Sequence, residues 1–366
     1  MEKQIESLTR KLAIAKAQGY TPEDDDDIES PITNGVFQHG IEQSAFRNND
    51  EAASSLIHLK QSGGSSYMAP APRFAHQLED VGVTTENATQ LFHEYFAYYH
   101  QFLPFLNPQQ EPEQYFVQSP LLYWAIISVA ARRTKVIDNL LSSLAGPISR
   151  LLWITVGGVP SSHHAVKALC LLCTWPLPTS TTTSDATHIL GGVMMKCATC
   201  IGLHRPRHTQ DFTRTRVDYS ADELHDRIVT WAVCNIVAQT LGTGYGQPAS
   251  TLYDWTLTSS AEADAADLFT LSPELDARLQ IEKFCDKISK EVYSNATDPI
   301  GLSGDEIRSH LTRVFKRDHN DQLHLTSKPD VSPLIGLWHK AAGVHLRLSA
   351  LFAISNTEGY LEDLTK

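Results

Sequence analysis

Four cysteines in two C-x-x-C pairs, Cys170 with Cys173 and Cys197 with Cys200, are the residues of this chain best placed for chemistry. Two such pairs can enclose a tetrahedral zinc ion, because thiolates at that spacing converge on one metal. Their surroundings point elsewhere. The gap between the pairs is longer than in a zinc ribbon, and neither pair carries the glycine or turn residue that bends a knuckle around a metal. Cys170, Cys173 and Cys197 also fall on apolar stripes, where a free cysteine acts as a small hydrophobe. The reading is core cysteines and no metal site, with Cys170, Cys173, Cys197 and Cys200 kept as the alternative zinc set.

The other candidate constellations are weaker still. The chain has no H-E-x-x-H, no G-x-S-x-G, and no G-x-G-x-x-G following a strand. His163 and His164 are adjacent, so they leave a helix on different sides and chelate poorly. His204 and His208 are four apart, but Pro206 interrupts any helix between them. Gly242, Gly244 and Gly246 lack the preceding strand and the lysine of a phosphate-binding loop, and read as an ordinary loop. Asp24 to Asp27 lack the spaced ligands and turn glycine of a calcium loop. No catalytic residue is expected, the chain is not read as an enzyme, and no cofactor-binding residue is identified.

The cysteines sit on two helices that form the centre of the sequence. Val166, Leu169, Cys170 and Cys173 recur at i, i+3, i+4 and i+7, and Leu190, Val193, Met194, Cys197 and Ile201 continue that period in the second helix. Trp175-Pro176-Leu177-Pro178 ends the first, since proline has no N–H to donate. Ser184 or Asp185 can cap the second.

Helical signals continue on both sides. Ile5, Leu8, Leu12 and Ala15 follow heptad spacing, so residues 1–18 read as a short coiled-coil helix with Ile5, Leu8 and Leu12 as dimerisation residues. Residues 19–84 read as a flexible acidic linker, with an aspartate run, a Ser-Gly-Gly-Ser-Ser stretch and Ala-Pro repeats. From Thr85 the chain turns helical. Leu91 to Phe102 form an aromatic helix, and Ser119-Pro120 opens one that is apolar nearly all round. Leu144 to Val156 follow. Ser220 and Glu223 make a capping box for the helix carrying Leu224, Ile228, Trp231, Cys234 and Leu241. Leu275 to Tyr293 and Leu334 to Ile354 also show helical spacing, and no convincing run of alternating strands is present. The expected fold is all-α, a large helical domain over residues 85–366.

With 42% apolar and 20% charged residues the chain is globular in composition, and it has no run of eighteen apolar residues and no apolar leader. A net charge of −12 is poorly matched to nucleic-acid phosphates. No membrane partner is expected.

The order of these segments resembles the zinc-cluster transcription factors of fungi. MEKQIESLTRKL resembles the coiled coil that follows their six-cysteine zinc cluster. LFHEYFAYYHQFLPFLNP and SPLLYWAIISVAARR resemble the opening of their regulatory middle region. AVKALCLLCTWPLP, MMKCATCIGLHR and DELHDRIVTWAVCNIVAQTLGTGYGQP resemble its middle, in the same order. The resemblance covers residues 1 to 20 and 85 to 255. It implies an all-helical regulatory domain of a nuclear regulator of RNA polymerase II genes. Its implied partners are a second copy or a related regulator, the transcription machinery and a small-molecule effector. The family's zinc and DNA contacts have no matching positions here, since the first cysteine is Cys170. DNA contact and zinc are therefore expected only through a cluster upstream of Met1, and the chain ends sooner than such regulators do. Two alternatives are a cluster-less partner that restrains a full-length relative, and a helical zinc protein or enzyme built on the paired cysteines.

Overall fold

Serine, glutamate and proline at element starts set much of this architecture. In the computed structural model the described residues are 74–134, 137–158, 161–179, 185–212, 218–257, 270–293, 304–327 and 332–348. Among them the fold is all-helical apart from one small hairpin. Strands β1 (Phe74–Leu78) and β2 (Val81–Thr84) pair antiparallel, with Phe74 opposite Thr84 and Leu78 opposite Val81. Glu79 takes a positive φ in the turn, and its carboxylate receives the Arg150 guanidinium. The hairpin lies in the stretch whose composition suggests linker. Its alternation is only four or five residues per strand, too short to stand out as a period of two.

The helices that follow are α1 (Thr85–Tyr98), α2 (Pro112–Gln118), α3 (Pro120–Ala130) and α4 (Leu140–Gly157). Next come α5 (His163–Thr174), α6 (Thr187–Cys200) and α7 (Ala221–Tyr245). The last are α8 (Pro273–Glu291), α9 (Asp305–Asp321), α10 (Leu323–Thr326) and α11 (Pro333–Leu348). Caps explain several starts. Ser119 accepts from the Leu122 N–H with Pro120 at the first turn, and Ser162, Ser220 and Ser272 accept in the same way. The Ser220–Glu223 capping box is present as read from the sequence. The second central helix begins differently: Ala186 is its cap position, and Asp185, one residue earlier, accepts from the Thr187 N–H.

Helix α3 is the centre of the first core. Every residue from Leu121 to Ala130 is buried, with α1, α2, α4 and α5 packed around it. An apolar helix surrounded on all sides needs no polar face. Helix α4 starts one turn before the sequence suggested and contains Pro147. It is long and apolar enough to span a bilayer by length, but Leu140, Leu144, Ile148 and Leu152 line the core beside α3. From α5 the packing passes to α6 and α7, from α7 to α8, and from α8 to α11. The second core lies there, around Phe284, Ile288, Phe315 and Leu346.

Helix α7 also corrects the loop reading of the glycine run. It continues through Gly242 and Gly244 to Tyr245 and stops at Gly246, which takes the left-handed conformation at φ 62°. Glycine suits that C-terminal position because it has no Cβ to clash.

Candidate functional site

The junction of α5, α6 and α7 concentrates the chain's chemically able side chains. At its centre the Cys170 thiol, fully buried, lies 3.6 Å from the Cys234 sulfur and 3.5 Å from the Met194 sulfur. One sulfur comes from each of three helices. Burial pushes the Cys170 and Cys173 thiols well up, so both are held as thiols and not as the reactive thiolate.

The four cysteines named as an alternative zinc set are not brought together. Cys170 and Cys173 face the core, Cys197 is half-buried and Cys200 is exposed at the end of α6. The neighbour of Cys170 is Cys234, whose position in a distant helix no local spacing could reveal. Among the described residues no group of three or more histidine, cysteine or acidic side chains could hold a metal ion.

A polar cluster caps the sulfur core. Lys167, buried in the middle of α5, donates to both carboxylate oxygens of Asp226 at 2.7 Å. His163 Nε2 is 2.9 Å from the Thr230 hydroxyl, and its Nδ1 is 3.6 Å from Asp226. Burial, followed by the charges of Lys167, Arg227 and His164, lowers the His163 pKa well below its usual value, so the ring is neutral at pH 7. The sequence placed His163 and His164 on different sides of a helix start. The structure adds that His163 reaches across to α7, 67 residues away.

The same junction continues past α6. Gly202 adopts φ +73°, and a Cβ there would lie 2.5 Å from the Phe212 ring. The backbone therefore turns back tightly, and two short 3₁₀ pieces within Pro206–Phe212, kinked at His208, follow where the sequence suggested a loop. The Ile201 carbonyl accepts from Arg227 at 2.5 Å, which ties this turn to α7. Gly202→Ala should cost about 1–3 kcal/mol of stability, because both the positive φ and the ring contact oppose a side chain. Urea unfolding reads this directly, and a loss under about 0.5 kcal/mol would mean that the turn relaxes freely.

Ile5, Leu8 and Leu12 lie outside the described residues, as do the aspartate run and most of the linker. Sequence reading missed Lys167, Asp226 and Arg227. Charged residues on helices normally face solvent, so their burial carried no periodic signal. One hint existed: Arg227 stands four residues before Trp231, on the face already assigned to the core.

Comparison with known proteins supplies the broader setting. Residues 90–291 match the family described as the fungal specific transcription factor domain. The chain is similar to Regulatory protein LEU3 of Saccharomyces cerevisiae, 26% identical over 256 residues, which cover 66% of this chain and 28% of that protein. It is similar to a putative transcription factor, SEF1, of Kluyveromyces lactis, 26% identical over 275 residues, covering 74% of this chain and 24% of that protein. A transcriptional regulatory protein of the same name in Candida albicans is 27% identical over 215 residues, covering 57% of this chain and 23% of that protein. The chain thus spans about a quarter of the length of these curated relatives. No solved structure matches it.

Proposed function

This chain belongs to the fungal specific transcription factor domain family, and from that membership we propose that it is the regulatory, effector-sensing part of a nuclear regulator of RNA polymerase II genes. The family match carries the proposal. It runs from within α1 through α8 and so takes in most of the first core and the α5–α6–α7 junction. The relatives are named as a regulatory protein, a putative transcription factor and a transcriptional regulatory protein, which supports a regulatory role.

The chain's own charge fits a part that regulates and does not itself grip DNA. Binding to a duplex depends on clustered lysine and arginine that displace counterions, and this chain carries a net charge of −12. Its proposed partners are a second copy or a related regulator, the transcription machinery and a small molecule seated in the helical core.

Fusion to an unrelated DNA-binding module tests the proposal. Expressed in yeast beside a reporter, the fused chain should raise or lower transcription relative to the module alone. A fusion that accumulates in the nucleus, occupies the reporter and leaves its output unchanged would overturn the reading.

A further inference from the structure

Three buried nitrogen atoms beside the first half of α7 have no hydrogen-bond partner among the described residues: Arg227 Nε, Trp231 Nε1 and His204 Nδ1. Trp231 is fully buried and Arg227 is only 4% exposed. The two stand one turn apart on the same face of the helix. The His204 ring lies 6.1 Å from that of Trp231, centre to centre.

Arg227 is a permanent cation, and a buried cation is stable only when something offsets its charge. Its compensation is meagre. It donates to the Ile201 carbonyl and lies 4.6 Å from the centre of the Tyr219 ring. Among the described residues no carboxylate stands within salt-bridge distance of it. The adjacent acid, Asp226, is engaged through both oxygens by Lys167.

Lys167 and Arg227 are both buried, whereas the acids that attract Arg227, Asp226 and Glu223, lie toward the surface, so among the described residues no buried carboxylate matches the two cations. The nearby histidines do not add to this positive charge. Burial holds His163, His164 and His204 below their usual pKa, with Lys167, Arg227 and Arg205 among the charges pushing the same way. An indole N–H can only donate, so Trp231 needs an acceptor. The missing complement at this place is thus an acceptor that is also negatively charged.

We propose that this face of α7 is a binding site for a small oxyanion, a carboxylate or a phosphate, gripped by the Arg227 guanidinium with Trp231 Nε1 and His204 Nδ1 as further donors. Guanidinium groups suit such ligands because their planar N–H array matches two oxygens at once. Tyr219, Phe212 and the Trp231 ring supply apolar walls around the donors. An open surface pocket of about 410 Å³, lined by Arg205, His208, Asp211 and Trp255, is built from the residues that follow His204, although none of the three donors lines it. The proposal names the chemistry of the small-molecule effector and rests on that part of the regulatory reading.

Thermal unfolding of the full chain tests it, with acetate, citrate and inorganic phosphate titrated separately against chloride at matched ionic strength. At least one oxyanion should raise the melting temperature, by about 3–6 °C for each tenfold rise above half-saturation. Which of them acts separates a carboxylate from a phosphate site. Arg227→Met should abolish that response, yet melt no lower than the unsubstituted chain without anion, because it removes an uncompensated charge. Trp231→Phe keeps the ring volume and should weaken the response about tenfold by removing one donor.

Equal shifts with chloride, or an unaltered response in both variants, would overturn the proposal. Trp231→Phe keeps the test decisive if Arg227→Met fails to fold. The titration uses no transcription readout, so its failure leaves the reporter result standing.

Discussion

Replacing Glu282 by alanine should destabilise the chain by about 3–5 kcal/mol, because it strands a buried cation. Glu282 and Arg278 stand one turn apart on α8, pair at 2.5 Å, and have side chains only 6% and 8% exposed. The Arg278 guanidinium donates to the Thr240 hydroxyl of α7 at 3.0 Å and lies 3.3 Å from the centre of the Trp338 ring of α11. Thr240 also bonds Glu282 at 3.1 Å. This network joins the helix that closes the first core to the helix that closes the second. Removing the carboxylate would leave the buried Arg278 guanidinium without its counter-charge, held only by the Thr240 hydroxyl and the Trp338 ring. Replacing both members, Arg278→Met with Glu282→Leu, should bring stability back close to its starting value, since the attraction within a buried pair roughly offsets its desolvation. Urea unfolding of the two variants separates the effects. A loss below about 1 kcal/mol in Glu282→Ala would show that Arg278 finds other compensation.

Acidification from about pH 7.5 to pH 5.5 should weaken the fold. Burial lowers the pKa values of His100, His163, His164, His319 and His345 in the folded state. In the unfolded chain a histidine takes up its proton near pH 6.5. Between that pH and the lower folded value the unfolded state binds more protons, so stability falls as pH falls. The contribution of these rings is fully present above about pH 6.5 and is lost as pH drops through their folded values. For His163, whose pKa is lowered furthest, the slope approaches about 1.4 kcal/mol per pH unit.

The carboxyls divide by sign. Glu282 acts in the opposite sense, because burial raises its pKa, and its contribution shrinks as pH rises through that value. Glu79, Asp185 and Glu223 have lowered pKa values and add to the acid loss, but at lower pH. Six histidines, His204 among them, against one raised carboxyl fix the net direction. Urea midpoints measured across this range read the effect, and a stability that holds or rises on acidification would show that the rings are protonated inside the fold. His345→Gln should flatten the slope, since that ring meets the Ser289 hydroxyl at 3.1 Å without needing a charge.

The helices themselves were legible wherever one apolar stripe met one capping residue. Ser119-Pro120 and the Ser220–Glu223 box act within four residues, so their outcome hardly depends on the rest of the chain. Cys170 and Cys173 could be assigned to a core for the same reason, as members of a period of 3.6. The hairpin at Phe74–Thr84 escaped because strands this short have too few alternations, and because its turn is tied by Arg150, 71 residues away.

What the sequence by itself determined is the set of helices, their apolar faces, and the family to which their order belongs. Those follow from local periodicity and capping, which neighbouring residues decide among themselves. What only the tertiary structure decided is which faces meet. The approach of Cys170 to Cys234, the burial of Lys167 beside Asp226 and the Arg278–Trp338 contact all join residues whose partners lie on other helices. A charged residue in a helix looks the same in sequence whether water or another helix covers it. Its burial depends on the packing of elements 26 to 67 residues apart, which no local pattern encodes.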